Sequence, residues 1–344
     1  MPGETALLSV IIPVYNRPEL LRYSLQSVSE AAHGMAVEVI VVDDGSEPPI
    51  AVPSFDHLPI KLIRQANAGS IPARIRGFEA SAGAYIQFLD SDDLVARDKF
   101  RLQLDQLERT GADLVYCDAD IATLDRPAPD LQREPTSPYA SVRTVAEFCF
   151  RAQPCPHSPI YRRSLVATTL GRLVVQPERR FDPVGDTWLY YNLSVVPGKA
   201  EKTAAILATI GRHPGARYSR HWEHLAIAAW HLMVDFARHC PAGSATEEAR
   251  RNFGETCFMM WRALPRDFDP QFEETLVAMW RAAPPSDRTR LGGRGFRIAA
   301  ALLGTECAGR VFRRWQRRAY AEIATIEATD QRRLLDGERG SGRP

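Results

Sequence analysis

Two short acidic clusters carry most of the chemistry that residue types alone suggest. One is Asp43-Asp44-Gly45-Ser46 and the other is Asp90-Ser91-Asp92-Asp93. Each follows an apolar run, Val37 to Val42 in the first case and Tyr85 to Leu89 in the second. In an open α/β sheet, ligands bind beyond the carboxyl ends of the strands, so carboxylates at two such ends can converge in one crevice. Several carboxylates gathered there would repel each other. A divalent cation with oxygen ligands relieves that repulsion and would also bridge a diphosphate. Taken singly, each cluster has a plainer reading: Asp-Gly-Ser is a turn signal, and Asp-Ser-Asp-Asp fits a solvated loop or a helix N-cap. Cys155-Pro-His157 and His221-Trp-Glu-His224 could also place metal ligands, but neither is a complete set.

The elements that must position these carboxylates alternate between two patterns. Leu7 to Tyr15, Val37 to Val42, Ile60 to Ile63, Tyr85 to Leu89 and Leu114 to Tyr116 are continuous apolar runs, as in strands buried on both faces. Between the first two, Leu21, Leu25, Val28 and Ala32 recur at helical spacing. Asn16 and Glu19 fit a capping pair at the start of that helix, and Pro18 suits its first turn. Further helices are expected over Ile71 to Ser81 and Asp98 to Arg109. This alternation predicts a doubly wound, mostly parallel α/β sheet. Thr123 to Pro138, with four prolines among polar residues, reads as a surface loop. From Trp222 onward the chain turns helical and rich in Ala and Arg, with stops at Pro241, Pro265 and Pro284-Pro285. The expected organisation is therefore an α/β domain over 1–220, a helical region over 221–335 and a disordered tail over 336–344.

Composition excludes more than it selects. Over 344 residues, 43 basic and 42 acidic side chains nearly cancel, so global charge does not point to nucleic acid or acidic polymers. Nor does a nucleic-acid reading module appear. No apolar run approaches the ~20 residues that span a bilayer. The start, MPGETALLSVIIPVYN, has no basic n-region, so no secretory signal is expected. Six scattered cysteines then read as reduced, packed thiols. A cytoplasmic protein is expected, with the inner face of a membrane still open as its location.

The ordered set SVIIPVYNRPELLRYSLQSV, VIVVDDGS and QANAGSIPARIRGFEASAGAYIQFLDSDD resembles the GT-A nucleotide-sugar-binding half of family 2 glycosyltransferases. The correspondence runs from about Leu7 to Asp93 and includes Asn67-x-Gly69, Ala73-Arg74, Arg76-Gly77, Ala80 and Gly83. Ile75 stands where the family often has Asn, and Ala84 where Glu is common. The resemblance implies a GT-A fold and a role for each matching residue. Pro13, Val14 and Tyr15 would line the base-binding slot, Asp44 would accept a hydrogen bond from a uracil-like base, and Arg74 would lie beside the base or the diphosphate. Asn67 and Gly69 belong to the adjoining loop, and Asp90 with Ser91 would face the ribose or the metal. Asp92 would be the direct ligand of Mg²⁺ or Mn²⁺.

The family also implies a catalytic base, an acidic residue shortly before a helix. In FDPVGDTWLYYNL that residue is Asp186, with Asp182 as the second candidate. Gly185 replaces the usual Glu, and Trp188 stands where an acidic residue is common, so a plain N-cap role for Asp186 stays open. In IGRHPGARYS the resemblance brings Arg212 or His213 towards the donor phosphates or the metal, and His157 towards the acceptor side. The leading expectation is a metal-dependent, inverting glycosyltransferase. It would use a nucleotide-diphosphate sugar, UDP-linked first of all, and a glycan, lipid-linked or small-molecule hydroxyl acceptor. The alternatives are a nucleotide-sugar-binding protein without transferase activity and a GT-A-like nucleotidyltransferase. The second is disfavoured by the lack of a Gly-rich, Lys-containing triphosphate loop near the N-terminus.

Charge is unevenly spread. Between Arg288 and Arg318 lie nine arginines, Arg288, Arg290, Arg294, Arg297, Arg310, Arg313, Arg314, Arg317 and Arg318, against the single acid Glu306. Apolar Phe296, Ile298, Leu302, Leu303, Val311, Phe312 and Trp315 are interleaved with them. This fits a helix with a solvated Arg face packed on the rest of the protein, and it fits an interfacial pair resting on an anionic leaflet. The sequence leaves that choice, and the oligomeric state, including a homo-oligomer, open.

Overall fold

The computed structural model describes residues 7–124, 131–213 and 221–336. The chain divides into two units, Met1–Gly215 and Ala216–Pro344. The expected tail over 336–344 lies outside the described residues except for Asp336, as do residues 214–220 and 125–130.

The first unit is built on a nine-stranded sheet. Its centre is β1 (Leu8–Val14), whose seven residues are all buried. On one side β1 pairs in parallel with β2 (Val37–Asp43), which pairs in parallel with β3 (Ile60–Arg64). On its other side lies β4 (Tyr85–Phe88), again parallel. The chain thus winds outward from β1 and then returns across it, so the strand order reverses between β1 and β4. A crevice at the carboxyl ends of the strands follows from that reversal. Along β1, alternation sends Leu8, Val10, Ile12 and Val14 into one core. Leu21, Leu25 and Val28 of α1 (Pro18–Ala31) close that core, and α2 (Ser70–Glu79) packs against β1 and β2. Full burial of each such aliphatic side chain contributes about 1.5–3 kcal/mol.

Beyond β4 the sheet is mixed. The two-residue β5 (Leu94–Val95) precedes α3 (Lys99–Thr110), which adds Phe100, Leu104 and Leu107 to the same core. The long β6 (Leu114–Thr123) carries β7 (Arg133–Pro135) antiparallel to it. A short α4 (Val145–Glu147), capped by Thr144, runs into a π-helical turn over Phe148–Ala152. Then follow β8 (Ile160–Arg162), α5 (Arg163–Leu170), a 3-10 turn over Arg179–Val184, α6 (Gly185–Ser194) and β9 (Ala200–Arg212). The strand order is β3-β2-β1-β4-β8-β6-β9-β5, with β8 antiparallel to both of its neighbours and β9 parallel to β6.

Two local expectations are corrected. Thr123 to Pro138 is not all loop, because β7 pairs with β6 inside it. The capping pair at α1 does not form. Arg17 occupies the N-cap position without a side-chain cap, and Asn16 adopts φ 52°. Asn tolerates that left-handed conformation better than most residues. It ties two loops together: its amide donates to Ser46 Oγ at 2.9 Å, and its Oδ1 accepts from the Glu47 amide at 2.8 Å.

The second unit is helical: α7 (Trp222–His239), α8 (Glu247–Ala263), α9 (Pro270–Ala282), α10 (Arg294–Leu303), α11 (Thr305–Gln316) and α12 (Ala328–Leu335). The helices stop where Pro241, Pro265 and Pro284 require. Asp269 caps α9 by accepting from the Phe272 amide at 2.8 Å, with Pro270 in the first position. Trp230 stacks on Phe272 at 5.1 Å, and Phe258 packs against Trp261, Trp280 and Phe296. Buried Arg313 pairs with Glu273 and donates to the carbonyls of Leu264 and Pro265. Among the described residues, no helix is long and apolar enough to cross a membrane.

Candidate active site

The rim at the carboxyl ends of β1 and β2 is laced by its own acids. Pro13 and Val14 are buried at the end of β1, whereas Tyr15 is 42% exposed just beyond it. Asp43 accepts from the amides of Ser46 and Ile50, which closes the turn after β2. Asp44 accepts from Gln65 Nε2 and from the amides of Ala68 and Gly69, each at 2.8 Å. Its first duty is therefore to shape the loop that leads into α2. Asn67, exposed on that loop, bonds Arg179 through its carbonyl and its side chain. Gly69 has φ 106°, and a Cβ there would lie 2.3 Å from Asp182 Oδ2, so glycine is required on both counts.

Asp182 therefore lies against the start of α2. Burial raises its pKa to about 6; Arg179 and the amides of Ile71 and Ser70 oppose that rise, and Asp44 adds to it. A carboxylate against exposed helix N–H groups is well placed electrostatically, which is the sense of the two amide contributions.

The centre of the rim is Arg74, which α2 delivers and which is only 8% exposed. Its Nη2 lies 2.6 Å from Asp90 Oδ1 and 2.8 Å from Asp186 Oδ1. Asp90 follows β4, and Asp186 sits in the first turn of α6, so one guanidinium joins three parts of the chain. Burial alone would lower the pKa of Arg74, but the two carboxylates hold it above its ordinary value. Asp186 is raised to about 6. Burial is the main cause, Arg74 opposes it, and Asp90 and Asp93 add repulsion. Asp186 does not cap α6: Val184 holds that position without a side-chain cap, and Asp186 pairs with Arg74. Gly185 has a structural reason as well. A Cβ at this residue would come within 2.9 Å of Ser70 Oγ and 3.0 Å of Arg74 Nη1.

Beside this pair, Asp90, Asp92 and Asp93 each offer an oxygen within 4.8 Å of the others, the one such group of potential ligands among the described residues. Their situations differ. Asp92 Oδ2 lies 2.9 Å from Arg17 Nη1 and 2.9 Å from His213 Nε2. Asp93 is buried, with Oδ1 accepting from the Gly211 amide at 2.9 Å and Oδ2 2.9 Å from His157 Nδ1. Asp93 therefore anchors the acidic loop to β9 and to His157, while Asp90 reaches Arg74 and is the most exposed of the three. Three carboxylates whose oxygens lie this close are the hard oxygen donors a divalent cation takes, so the residues fit one. Ser91, between them, is buried.

His157, expected towards the acceptor side, is fully buried against Asp93. Burial disfavours its charge, yet the adjacent Asp93 holds its pKa well above the usual value. The Cys155 sulfur is 3.7 Å from His157 Nε2, and no third ligand completes a metal set there among the described residues. Of the pair Arg212 and His213, the structure brings His213 to Asp92, while Arg212 is exposed. Sequence reasoning missed Arg17 and the Asp93–His157 pair. Arg17 carried a usable signal, as a basic residue just past the carboxyl end of β1. His157 carried none, because its partner lies 64 residues away in the chain.

Residues 9–169 match the family model for glycosyl transferase family 2. The first unit belongs to that family. This glycosyltransferase domain is 35% identical over 124 residues to the glycosyltransferase YibD of Escherichia coli (strain K12), a match covering 35% of this chain and 36% of that protein. It is 31% identical over 121 residues to the succinoglycan biosynthesis protein ExoO of Rhizobium meliloti (strain 1021), covering 34% of each. The chain thus spans about a third of the length of these curated relatives. Among solved structures, S. aureus TarS 1-349 in complex with UDP-GlcNAc has a TM-score of 0.59 at 15% identity, covering 90% of this chain and 91% of that one. The mannosyltransferase PcManGT from Pyrobaculum calidifontis, in complex with GDP-Man and Mn²⁺, has a TM-score of 0.51 at 18% identity, covering 97% and 86%. These structures share the GT-A fold of the glycosyltransferase domain.

Proposed function

We propose that the chain is a metal-dependent, inverting glycosyltransferase that moves a sugar from a nucleoside-diphosphate donor, UDP-linked first of all, to an acceptor hydroxyl. The observation that carries this reading is Arg74 held between Asp90 and Asp186 at the carboxyl rim of the sheet. It joins a carboxylate of the acidic loop to one with the acid–base character of a catalytic base. Nucleotide-sugar donors in the complexes of TarS and PcManGT support the substrate class.

In this reading Tyr15, Val14, Pro13, Asp44, Asn67 and Gly69 form the nucleotide side, with Asp44 fixing the loop and Tyr15 offering an exposed ring to the base. Asp90 and Asp92, with His213 beside them, would hold Mg²⁺ or Mn²⁺. Bound there, the cation supplies positive charge against the diphosphate as it leaves. Arg17 adds a permanent positive charge next to Asp92. The acceptor oxygen attacks the anomeric carbon opposite the diphosphate, a carbon–oxygen bond forms as the bond to the diphosphate breaks, and configuration inverts. Asp186 takes the acceptor proton. A pKa of about 6 leaves it ionised at neutral pH yet basic enough to accept that proton. Arg74 fixes the direction of the carboxylate.

The test is a donor screen with Mn²⁺ present, reading nucleotide release against pooled hydroxyl acceptors. UDP release by the wild-type chain, with turnover lowered about 10²–10⁴-fold in Asp186→Asn at unchanged donor affinity, is the expected result. Wild-type turnover in Asp186→Asn would remove it as base, and preference for GDP-sugars would replace the UDP assignment.

A further inference from the structure

We infer that the hairpin α10–α11 is an interfacial docking surface for anionic phospholipid. The two helices join at Gly304, and each buries one stripe: Phe296 and Ala300 in α10, Ala308 and Gly309 in α11, with Phe296 edge-on to Phe312 at 5.7 Å. A soluble amphipathic helix ordinarily leaves polar residues outside. Here each helix has a second stripe that is apolar and uncovered. In α10, Ile298 and Leu302 are spaced one turn apart, 56% and 80% exposed. In α11, Val311 and Trp315 are also one turn apart, 42% and 88% exposed. Leu303, at the end of α10, is 54% exposed as well.

The charges flanking these stripes identify the occupant. Glu306 is held by Arg281 and Arg310, and Arg313 by Glu273. Arg294, Arg314 and Arg318 are exposed and form no ion pair among the described residues, whereas Arg297, also exposed, lies close enough to Asp287 to help hold its pKa down. Uncompensated arginines beside exposed aliphatic and indole side chains match a surface that is anionic outside and apolar just beneath, as a leaflet with acidic headgroups is. An indole at that depth suits its mixed polarity. A second copy of the chain is a poor occupant, because its own arginines would meet these. A nucleic acid would leave the aliphatic stripes without a counterpart.

The experiment is co-sedimentation of the full chain with phosphatidylcholine vesicles, with and without phosphatidylglycerol. Binding only to the phosphatidylglycerol vesicles, weakening as salt rises, is expected. Replacing Arg294, Arg314 and Arg318 by Gln, one after another, should lower partitioning about fivefold per charge. The double variant Leu302→Ser/Trp315→Ser should lose binding even at low salt, and the Trp315→Phe difference spectrum should show a blue-shifted indole on binding. These side chains are exposed, so circular dichroism and the melting temperature should match the wild type in every variant. A chain that stays in solution with anionic vesicles at low salt overturns the inference, which is also the result an acidic protein partner would give. Unchanged partitioning of the Leu302→Ser/Trp315→Ser variant overturns it as well, since binding would then be electrostatic alone.

Discussion

Nη2 of Arg74 lies 2.8 Å from Oδ1 of Asp186, and the same nitrogen reaches Asp90 at 2.6 Å. A buried cation shared by two acids is sensitive to the loss of either one, because the remaining charges stay in a poorly solvated place. It also fixes the direction of the Asp186 carboxylate without occupying both of its oxygens. The predictions that follow turn on this arrangement and on the acidic loops beside it.

Turnover should fall on the acid side of about pH 6. The pKa of Asp186 is raised mainly by burial, so its carboxylate gains a proton earlier than an exposed aspartate would. A base works only when ionised, so the rate should drop about tenfold for each pH unit below that point. A pH profile of kcat checks this, and the residual rate of Asp186→Asn should lack the limb. A limb near pH 4 would show that the site does not raise this group during turnover.

Asp92→Ala should abolish the part of donor affinity that depends on a divalent cation, and a melting temperature taken alongside reads what the lost contacts to Arg17 and His213 cost the fold. Calorimetry of UDP binding with and without Mn²⁺ measures the difference. Equal affinity of variant and wild type in Mn²⁺ would take Asp92 out of the metal set.

Gly185→Ala tests the tight space around Arg74. The added methyl would meet Ser70 Oγ at 2.9 Å and Arg74 Nη1 at 3.0 Å, so the Ser70 hydroxyl and the guanidinium have to give by a few tenths of an ångström. A 1 Å misplacement of a positioning group costs up to about 10²-fold, so this smaller shift should lower the rate by less than that, with kcat falling more than KM rises. Steady-state kinetics at constant melting temperature separates this effect from unfolding.

Asp182→Asn should stabilise the fold above pH 6 and do nothing at pH 3. The folded pKa of Asp182 is raised from its ordinary value to about 6, so its ionised form is the one that folding disfavours. The stability associated with the neutral form is complete below the unfolded pKa and is lost as pH rises through 6. Asn removes that dependence. Melting temperatures of the two chains should therefore converge on acidification and separate between pH 4 and pH 7. A constant gap would mean that Asp182 has an ordinary pKa.

The parallel half of the sheet is legible in the sequence because β1, β2 and β4 are buried on both faces and read as unbroken apolar runs. The α1 stripe of Leu21, Leu25 and Val28 is equally legible from its period. The antiparallel strands β5, β7 and β8 are two or three residues long, too short to show any alternation. The acids at the rim are visible as residues following strands, and the structure brings Asp44, Asp90, Asp92 and Asp186 to that rim. Asn16 misleads because a side chain that suits a cap also suits a link between loops, and only the neighbouring loop decides. Arg17 with Asp92, and His157 with Asp93, are pairings across the fold that no local pattern encodes.

Asp44 bonds the amides of Ala68 and Gly69, and Asn16 bonds Ser46 and Glu47. The conformational entropy of these two loops, about 1–2 kcal/mol per backbone residue, is therefore surrendered when the protein folds and not when a donor arrives. Recognition on this side of the crevice should behave as a rigid template does: fast capture, little change in amide exchange on saturation, and poor tolerance of nucleotides whose base differs in outline.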